Sequence, residues 1–269
     1  MKQLFVTAMK YAVCCVPVSP LRCEPSHRSE MVTQLLFGEK SFIIKNGNDN
    51  PIAIGWVKIG LKYDAYEGWC QLSHLSEIEE QQFTKIDKDI TYGWVSEVDY
   101  NGHIMNIPMG SSLSAFKNGK AFRRKNLVHF KGEVWNPEEI KITPKIIKQV
   151  AYKFLNTSYL WGGKSVFGID CSGFAQMTYK FLNKYLPRDA WQQAEQGEVV
   201  NFLRQAHCGD LAFFDNDEDK ITHVGILLNE REIIHSSGKV RIDKIDTQGI
   251  LNLETKQRTH KLRIIKRYF

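Results

Sequence analysis

Nothing in this 269-residue chain approaches the roughly 20 consecutive apolar residues that carry a helix across a bilayer, so no membrane span of that kind is expected. The six cysteines (14, 15, 23, 70, 171 and 208) include no Cys-x-x-Cys pair and no metal-type spacing. No metal site, no cofactor and no disulfide framework is therefore expected; the last is a device of small secreted chains. Free thiols suit a reducing compartment and favour the cytoplasm. No helix gathers the net charge of +6 into a basic stripe with interleaved aromatics, which argues against nucleic acid as a partner. No repeat of roughly 20–50 residues is visible, which excludes a solenoid. The opening Met1-Lys2, with Leu4, Phe5 and Val6, has the start of a secretory signal, but Lys10 interrupts it short of the usual apolar stretch of about 7–15 residues. Cytoplasmic residence is the expectation; periplasmic or extracellular residence is the alternative if that segment acts as a signal.

Up to about residue 138 the chain is a series of short β-type runs broken by Gly, Asn, Asp and Pro. They are Tyr11 to Val18, Ser41-Phe-Ile-Ile44, Ile52 to Ile59, Gly68-Trp-Cys-Gln-Leu72, Tyr92-Gly-Trp-Val95 and Asn126-Leu-Val-His-Phe130. Short strands separated by turn residues predict small barrels or a sandwich. The polar run 76–82 is the expected joint between two barrels, and Glu67-Gly68-Trp69 against Tyr92-Gly93-Trp94 hints that the halves are related. The domains so drawn are 1–76, 77–138 and 139–269.

The texture changes at Pro137. Thr143-Pro144 starts a helix as N-cap and first-turn proline, with Ile147, Val150, Ala151, Phe154 and Leu155 at helical spacing. A second helix follows Asp170, with Phe174, Ala175, Thr178, Phe181, Leu182 and Tyr185 on one face and Pro187 closing it. From Gly209 the pattern turns to strands around 210–214, 223–228, 232–235, 240–242 and 262–265. Helices followed by a meander predict an α+β domain on an antiparallel sheet.

Cys171 opens the second helix in Asp170-Cys-Ser-Gly-Phe174. Unpaired N–H groups and the positive end of the helix dipole favour thiolate there, which predicts reaction with thiol reagents well below pH 8. Taken alone, the residue reads equally as a buried cap cysteine. His223 opens one apolar strand and His235 ends the next, the spacing of a hairpin that places both rings on one face. Cys208 follows His207, but neighbours on an extended chain face opposite ways and make a poor nucleophile–base pair.

The series Tyr159-Leu-Trp-Gly-Gly, Asp170-Cys-Ser-Gly, Leu186-Pro-Arg, Gly209-Asp-Leu-Ala-Phe-Phe, His223-Val-Gly-Ile and Ile234-His-Ser-Ser-Gly resembles the NlpC-type cell-wall cysteine peptidases over about residues 145–245. The N-terminal half, through Arg22-Cys-Glu-Pro-Ser26 and Thr33-Gln-Leu-Leu-Phe-Gly-Glu39, is similar to the bacterial SH3-like barrels of the branch that cleaves γ-D-glutamyl–diamino acid bonds.

That resemblance implies a papain-like catalytic domain behind two SH3-like barrels, and a Cys171–His223–His235 triad with Tyr159 helping the backbone hold the oxyanion. It implies Asp170 and Ser172 at the D-glutamyl group, Arg188 as a further substrate-binding residue, and Glu24 and Tyr66 gripping a free N-terminal ammonium of a murein stem peptide. A departure from the family pattern is Ala190, where a small hydroxyl residue often stands. Two other readings stay open: a wall-peptide-binding protein without hydrolysis, and an acyltransferase or transpeptidase using the same thioester.

Overall fold

A computed structural model describes residues 9–44, 52–53, 55–86, 88–100, 102–123 and 126–269; the signal-like residues 1–6 lie outside that set. The chain divides into two compact units, Met1–Pro137 with Lys164–Val166, and Glu138–Gly163 with Phe167–Phe269.

The first unit is built on β-sheet. Seven strands hydrogen-bond in the order Met31–Leu36, Val18–Arg22, Glu67–Gln71, Trp56–Leu61, Lys40–Ile43, Tyr11–Cys14 and Leu75–Ile78, and Ile52–Ala53 pairs beside Trp56–Leu61. Successive side chains on a strand face opposite ways, so Ala12, Leu21, Val57, Ile59 and Cys70 fill one core. The expected run from Tyr11 to Val18 is two strands; Pro17, which has no N–H to give a ladder, stands in the break.

The expected division after residue 76 runs through a strand, since Leu75–Ile78 pairs along the whole of Tyr11–Cys14. The rest of the polar run becomes the helical turn Glu80–Thr84, started by a reciprocal cap between Glu79 and Gln82. A second sheet, ordered His103–Pro108, Val95–Tyr100, Asn126–Lys131 and Lys120–Arg123, buries Val98, Ile107 and Val128. Phe37, from the first sheet's side of the unit, is buried in that same cluster, and its carbonyl accepts from the Ser112 N–H at 2.8 Å. Phe37 thus ties the end of the strand Met31–Leu36 to the core of the second sheet. Gly68 and Trp69 lie inside a strand, whereas Gly93 and Trp94 form the bend before Val95–Tyr100, so the two Gly-Trp segments are not structural counterparts.

In the second unit Thr143 caps the helix Pro144–Tyr152, its Oγ1 accepting from the Ile146 N–H at 3.3 Å. Ile147, Val150 and Ala151 are its buried stripe. The second helix is Cys171–Phe181, one turn shorter than expected. Asn183 takes a left-handed φ of 55° and the Lys184 N–H reaches back to the Tyr179 carbonyl at 2.9 Å, which closes the helix and leaves Tyr185 exposed.

Seven antiparallel strands then follow the order Glu198–Val199, Arg258–Arg267, Leu211–Asp215, Ile221–Leu227, Glu232–Ser237, Lys239–Asp246 and Gly249–Leu251. Gly249–Leu251 also pairs with Arg258–Arg267, so six of the strands close into a ring. Ala212, Phe214, Leu227, Ile233, Ile245, Ile250 and Ile265 form an apolar core on that sheet. The cysteine helix packs on Ile221–Leu227 and Glu232–Ser237, the two strands that carry the paired histidines.

Candidate active site

Asp170 is the N-cap of the helix that Cys171 begins. Its Oδ1 accepts from the Gly173 N–H at 2.7 Å and its Oδ2 from the Gly162 N–H at 2.8 Å. The Arg188 guanidinium, 2% exposed, reaches both oxygens at 3.0 and 2.5 Å and also gives a hydrogen bond to Ser172 Oγ at 2.8 Å. A buried fork of this kind fixes its partner in position as well as in charge. Gly173 is required by space: a Cβ there would stand 2.3 Å from the Gly163 carbonyl oxygen and 2.8 Å from Asp170 Oδ1. The Tyr159–Gly163 loop and the helix start are thus held together through one carboxylate.

Cys171 is 7% exposed, and its sulfur lies against the strand that carries His223. It is 4.0 Å from the Thr222 carbonyl oxygen, and the Val224 N–H favours its charged form. His223 Nε2 and His235 Nδ1 are 2.8 Å apart, and His235 Nε2 is 3.1 Å from Asp243 Oδ2. Gly225 pairs with His235 across the ladder, and a Cβ on it would come within 2.9 Å of the His235 Cβ. The glycine therefore makes the room in which the two rings meet. A third ring, His260, stacks on His223 with centroids 4.0 Å apart and 24° between planes.

Burial pushes the Cys171 thiol up to about 12, and the Asp170 charge adds to that, against the Val224 and Ser172 N–H groups and Arg188. The expectation of a low-pKa resting thiolate is thereby corrected: taking the sulfur out of water outweighs the helix end. Burial, with His235 and His260 nearby, holds His223 well below the ordinary histidine range. The resting pair is a neutral thiol beside a neutral imidazole. His235 is also lowered by burial, with Asp243 pulling the other way, and burial and His235 bring His260 down to about 4. Burial would raise Asp243, but hydrogen bonds from His235 and Arg241 outweigh it and hold the carboxyl far below its usual value.

Tyr159 is half-buried, and burial, Cys171 and Asp170 in that order raise its phenol well above the ordinary value. It stands within electrostatic reach of the sulfur as a protonated donor. Asp170, Ser172 and Arg188, expected to border substrate, are tied to one another beneath the helix start. Ala190 opens the short helix Ala190–Ala194, capped by Asp189 and Gln192. Cys208 is elsewhere, its sulfur 3.8 Å from the Pro144 carbonyl. Glu24 and Tyr66 belong to the first unit, the one exposed after Arg22, the other half-buried against that unit's core.

Asp243, Arg241 and His260 were not singled out from sequence. The signal for Asp243 was an acid one alternation past Arg241 in the strand after His235; His260, in a polar stretch far along the chain, gave none. One nitrogen from each of the three imidazoles falls within 4.8 Å of the others, a spacing a transition metal accepts. Both nitrogens of His235 are already engaged, however, and His260 Nδ1 is 2.8 Å from Thr259 Oγ1. The arrangement reads as a hydrogen-bonded relay.

A sulfur on a helix tip, set against a strand whose imidazole leads into a buried relay, defines the class: a cysteine peptidase. The chain belongs to the NlpC/P60 family. The NlpC/P60 family profile matches residues 156–259, and that of the bacterial dipeptidyl-peptidase Sh3 domain matches 21–75. The chain is 30% identical over 221 residues to a γ-D-glutamyl-L-lysine dipeptidyl-peptidase of Bacillus subtilis, covering 76% of this chain and 71% of that protein. A Bacillus cereus protein of the same name is 26% identical over 257 residues, covering 84% and 74%. Among solved structures, an NlpC/P60 family protein from Bacillus cereus superposes with a TM-score of 0.78 at 18% identity, over 96% of this chain and 99% of that one, and shows the same fold.

Proposed function

We propose that the protein hydrolyses the γ-D-glutamyl–diamino acid bond of peptidoglycan stem peptides that carry a free N-terminal L-Ala. The observation that carries this reading is the Cys171 sulfur lying 4.0 Å from the Thr222 carbonyl oxygen, next to His223, whose ring leads into His235 and Asp243. The relatives' names supply the bond: both Bacillus proteins are γ-D-glutamyl-L-lysine dipeptidyl-peptidases.

The cycle follows from the resting charges. His223 takes the thiol proton as the sulfur attacks the γ-carbonyl carbon, so nucleophile and imidazolium form together. The backbone N–H of Cys171 and the Tyr159 hydroxyl face the oxyanion, which low surrounding dielectric makes a strong interaction. Imidazolium His223 then protonates the leaving amine, the C–N bond breaks, and a thioester remains. The neutral ring next draws a proton from water as its oxygen attacks the thioester carbon; the C–S bond then breaks, the γ-carboxylate leaves, and the imidazolium returns its proton to the sulfur. Asp170 and Arg188 act here by holding the helix start. Glu24 and Tyr66 are proposed to hold the substrate ammonium, with cytoplasmic recycling of short peptides as the setting. All six cysteines are free thiols, which suits that setting.

The test is product analysis by mass spectrometry on L-Ala-γ-D-Glu-L-Lys, its meso-diaminopimelate counterpart and their N-acetylated forms. The expected result is release of L-Ala-D-Glu from peptides with a free amine, slow or no cleavage of the acetylated ones, and silence from Cys171→Ala. Cleavage of acetylated peptide or intact sacculi as fast as the free tripeptide would overturn the substrate assignment. An added amine that captures most of the acyl group would point to a transferase instead.

A further inference from the structure

We infer that Asp243 is a positioning residue that sets the direction of proton donation through both histidines and so leaves His223 Nδ1 as the basic nitrogen. This deepens the proposed reading and rests on Cys171 and His223 being the reacting pair.

The argument is one of donors and acceptors. An ionised carboxylate only accepts. Asp243 Oδ2 accepts from Arg241 Nε at 2.7 Å and lies 3.1 Å from His235 Nε2; Oδ1 accepts from Arg241 Nη2 at 3.1 Å and the Leu253 N–H at 2.8 Å. Its side chain is fully buried, so no water competes for these positions. His235 Nε2 must therefore carry the proton. A neutral imidazole has one N–H, so His235 Nδ1 is an acceptor, and His223 Nε2, 2.8 Å away, must donate to it. That commits the His223 proton to Nε2 and leaves Nδ1 with a free lone pair. Every link runs one way because the last group in the line cannot donate.

Arg241 makes that last group reliable. It grips both oxygens of Asp243, and its outer nitrogens are bound to Glu254 at 2.9 Å and Asn252 at 3.0 Å. Lys239 adds a 3.2 Å contact to Glu254. The carboxylate is thus kept ionised in a dry site by a cation that is itself anchored near the surface. Ile233 and Asp243 pair across the ladder, as do His235 and Arg241, so the strand Lys239–Asp246 delivers acid and guanidinium together to the back of the relay.

Asp243→Asn tests the direction without changing shape. The Oδ1 position faces two donors, Arg241 Nη2 and the Leu253 N–H, whereas Oδ2 faces one besides His235, Arg241 Nε, so the amide oxygen settles at Oδ1. The NH2 then takes the Oδ2 position, gives up the Arg241 Nε hydrogen bond and donates to His235 Nε2. Each histidine must then reverse, and His223 presents an N–H at Nδ1. Replacement of the acid behind a catalytic histidine by its amide, with the wrong tautomer as the result, costs about 10⁴ in kcat in the serine-protease triad.

The experiment is nitrogen-15 NMR of histidine-labelled wild type and Asp243→Asn, read for the tautomers of His223 and His235, together with kcat and KM on the tripeptide. The inference expects Nε2–H at both rings in wild type, Nδ1–H at both in the variant, and a kcat loss of about 10⁴ with KM changed only a few fold. Wild-type His223 or His235 carrying its proton on Nδ1 would overturn it, as would a variant that keeps kcat within about threefold. The wild-type spectrum decides the matter even if the variant does not fold. It also separates the two claims: wild-type Nε2–H tautomers in a protein that cleaves no γ-glutamyl peptide would sink the function and leave this inference standing.

Discussion

Replacing Arg188 with Met isolates the contribution of the buried ion pair beneath the cysteine helix. Arg188 and the Asp170 carboxylate are 2% and 8% exposed, and removal of the cation leaves an anion out of water. Breaking such a pair from one side generally costs about 3–5 kcal/mol. Asp170 keeps the Gly173 and Gly162 N–H donors at 2.7 and 2.8 Å, which places the expected loss near the low end, about 3 kcal/mol. At a urea slope of about 2 kcal/mol per molar, the midpoint should fall by about 1.5 M. The two compact units need not unfold together, so the signal must come from the second one. Pulse alkylation in urea with peptide mapping of Cys171 supplies it. The compensating variant sharpens the test. Asn is as good an N-cap as Asp, so Asp170→Asn combined with Arg188→Met removes the stranded charge and should recover at least half of the loss. A single variant within about 0.5 kcal/mol of wild type, or a double variant less stable than the single, would refute the reasoning.

Tyr159→Phe removes one oxyanion donor and should lower kcat by about 10²–10³ with little change in KM, measured on the tripeptide. An unchanged kcat would remove Tyr159 from the reaction. Gly225→Ala would push a methyl to within 2.6 Å of Ile233 Cδ1 and 2.9 Å of the His235 Cβ, and so should cost about 1–3 kcal/mol in stability and displace the relay. Full activity and an unshifted urea midpoint in that variant would contradict the packing argument. The acid limb of stability has a definite sign. His223, His235 and His260 all titrate below 6.5 when folded, His260 at about 4, so the unfolded chain takes up protons that the folded one refuses. Second-unit stability should therefore be full above pH 6.5 and fall as the pH drops from there toward 4, with a shallower fall in His260→Phe. A flat profile over that window would show that the rings are not held neutral.

Much of the second unit was legible because its signals are local. Thr143-Pro144 and Asp170 behave as helix caps wherever they occur, and the alternation around His223 and His235 fixes both strands and their shared face. What escaped depends on contacts distant in sequence. Asp243 acquires meaning only once Lys239–Asp246 pairs with Glu232–Ser237, and His260 only once the sheet closes into a ring. The thiol's resting state is hidden because a helix end is visible in sequence, whereas the burial that outweighs it is not. In the first unit, polarity alone suggests a break after residue 76. Leu75–Ile78 shows why that fails: an edge strand tolerates polar residues on its outer face, and its pairing with Tyr11–Cys14 decides where it belongs.

The central claim, a thioester on Cys171 formed at the γ-carbonyl of D-glutamate, is tested most directly by turnover of L-Ala-γ-D-Glu-L-Lys in the presence of hydroxylamine. The account predicts that lysine release continues while the acyl group partitions into the γ-hydroxamate of L-Ala-D-Glu in proportion to the hydroxylamine added, and that Cys171→Ala yields neither product. Lysine release by Cys171→Ala, or rapid wild-type hydrolysis with no hydroxamate at any hydroxylamine concentration, would contradict it.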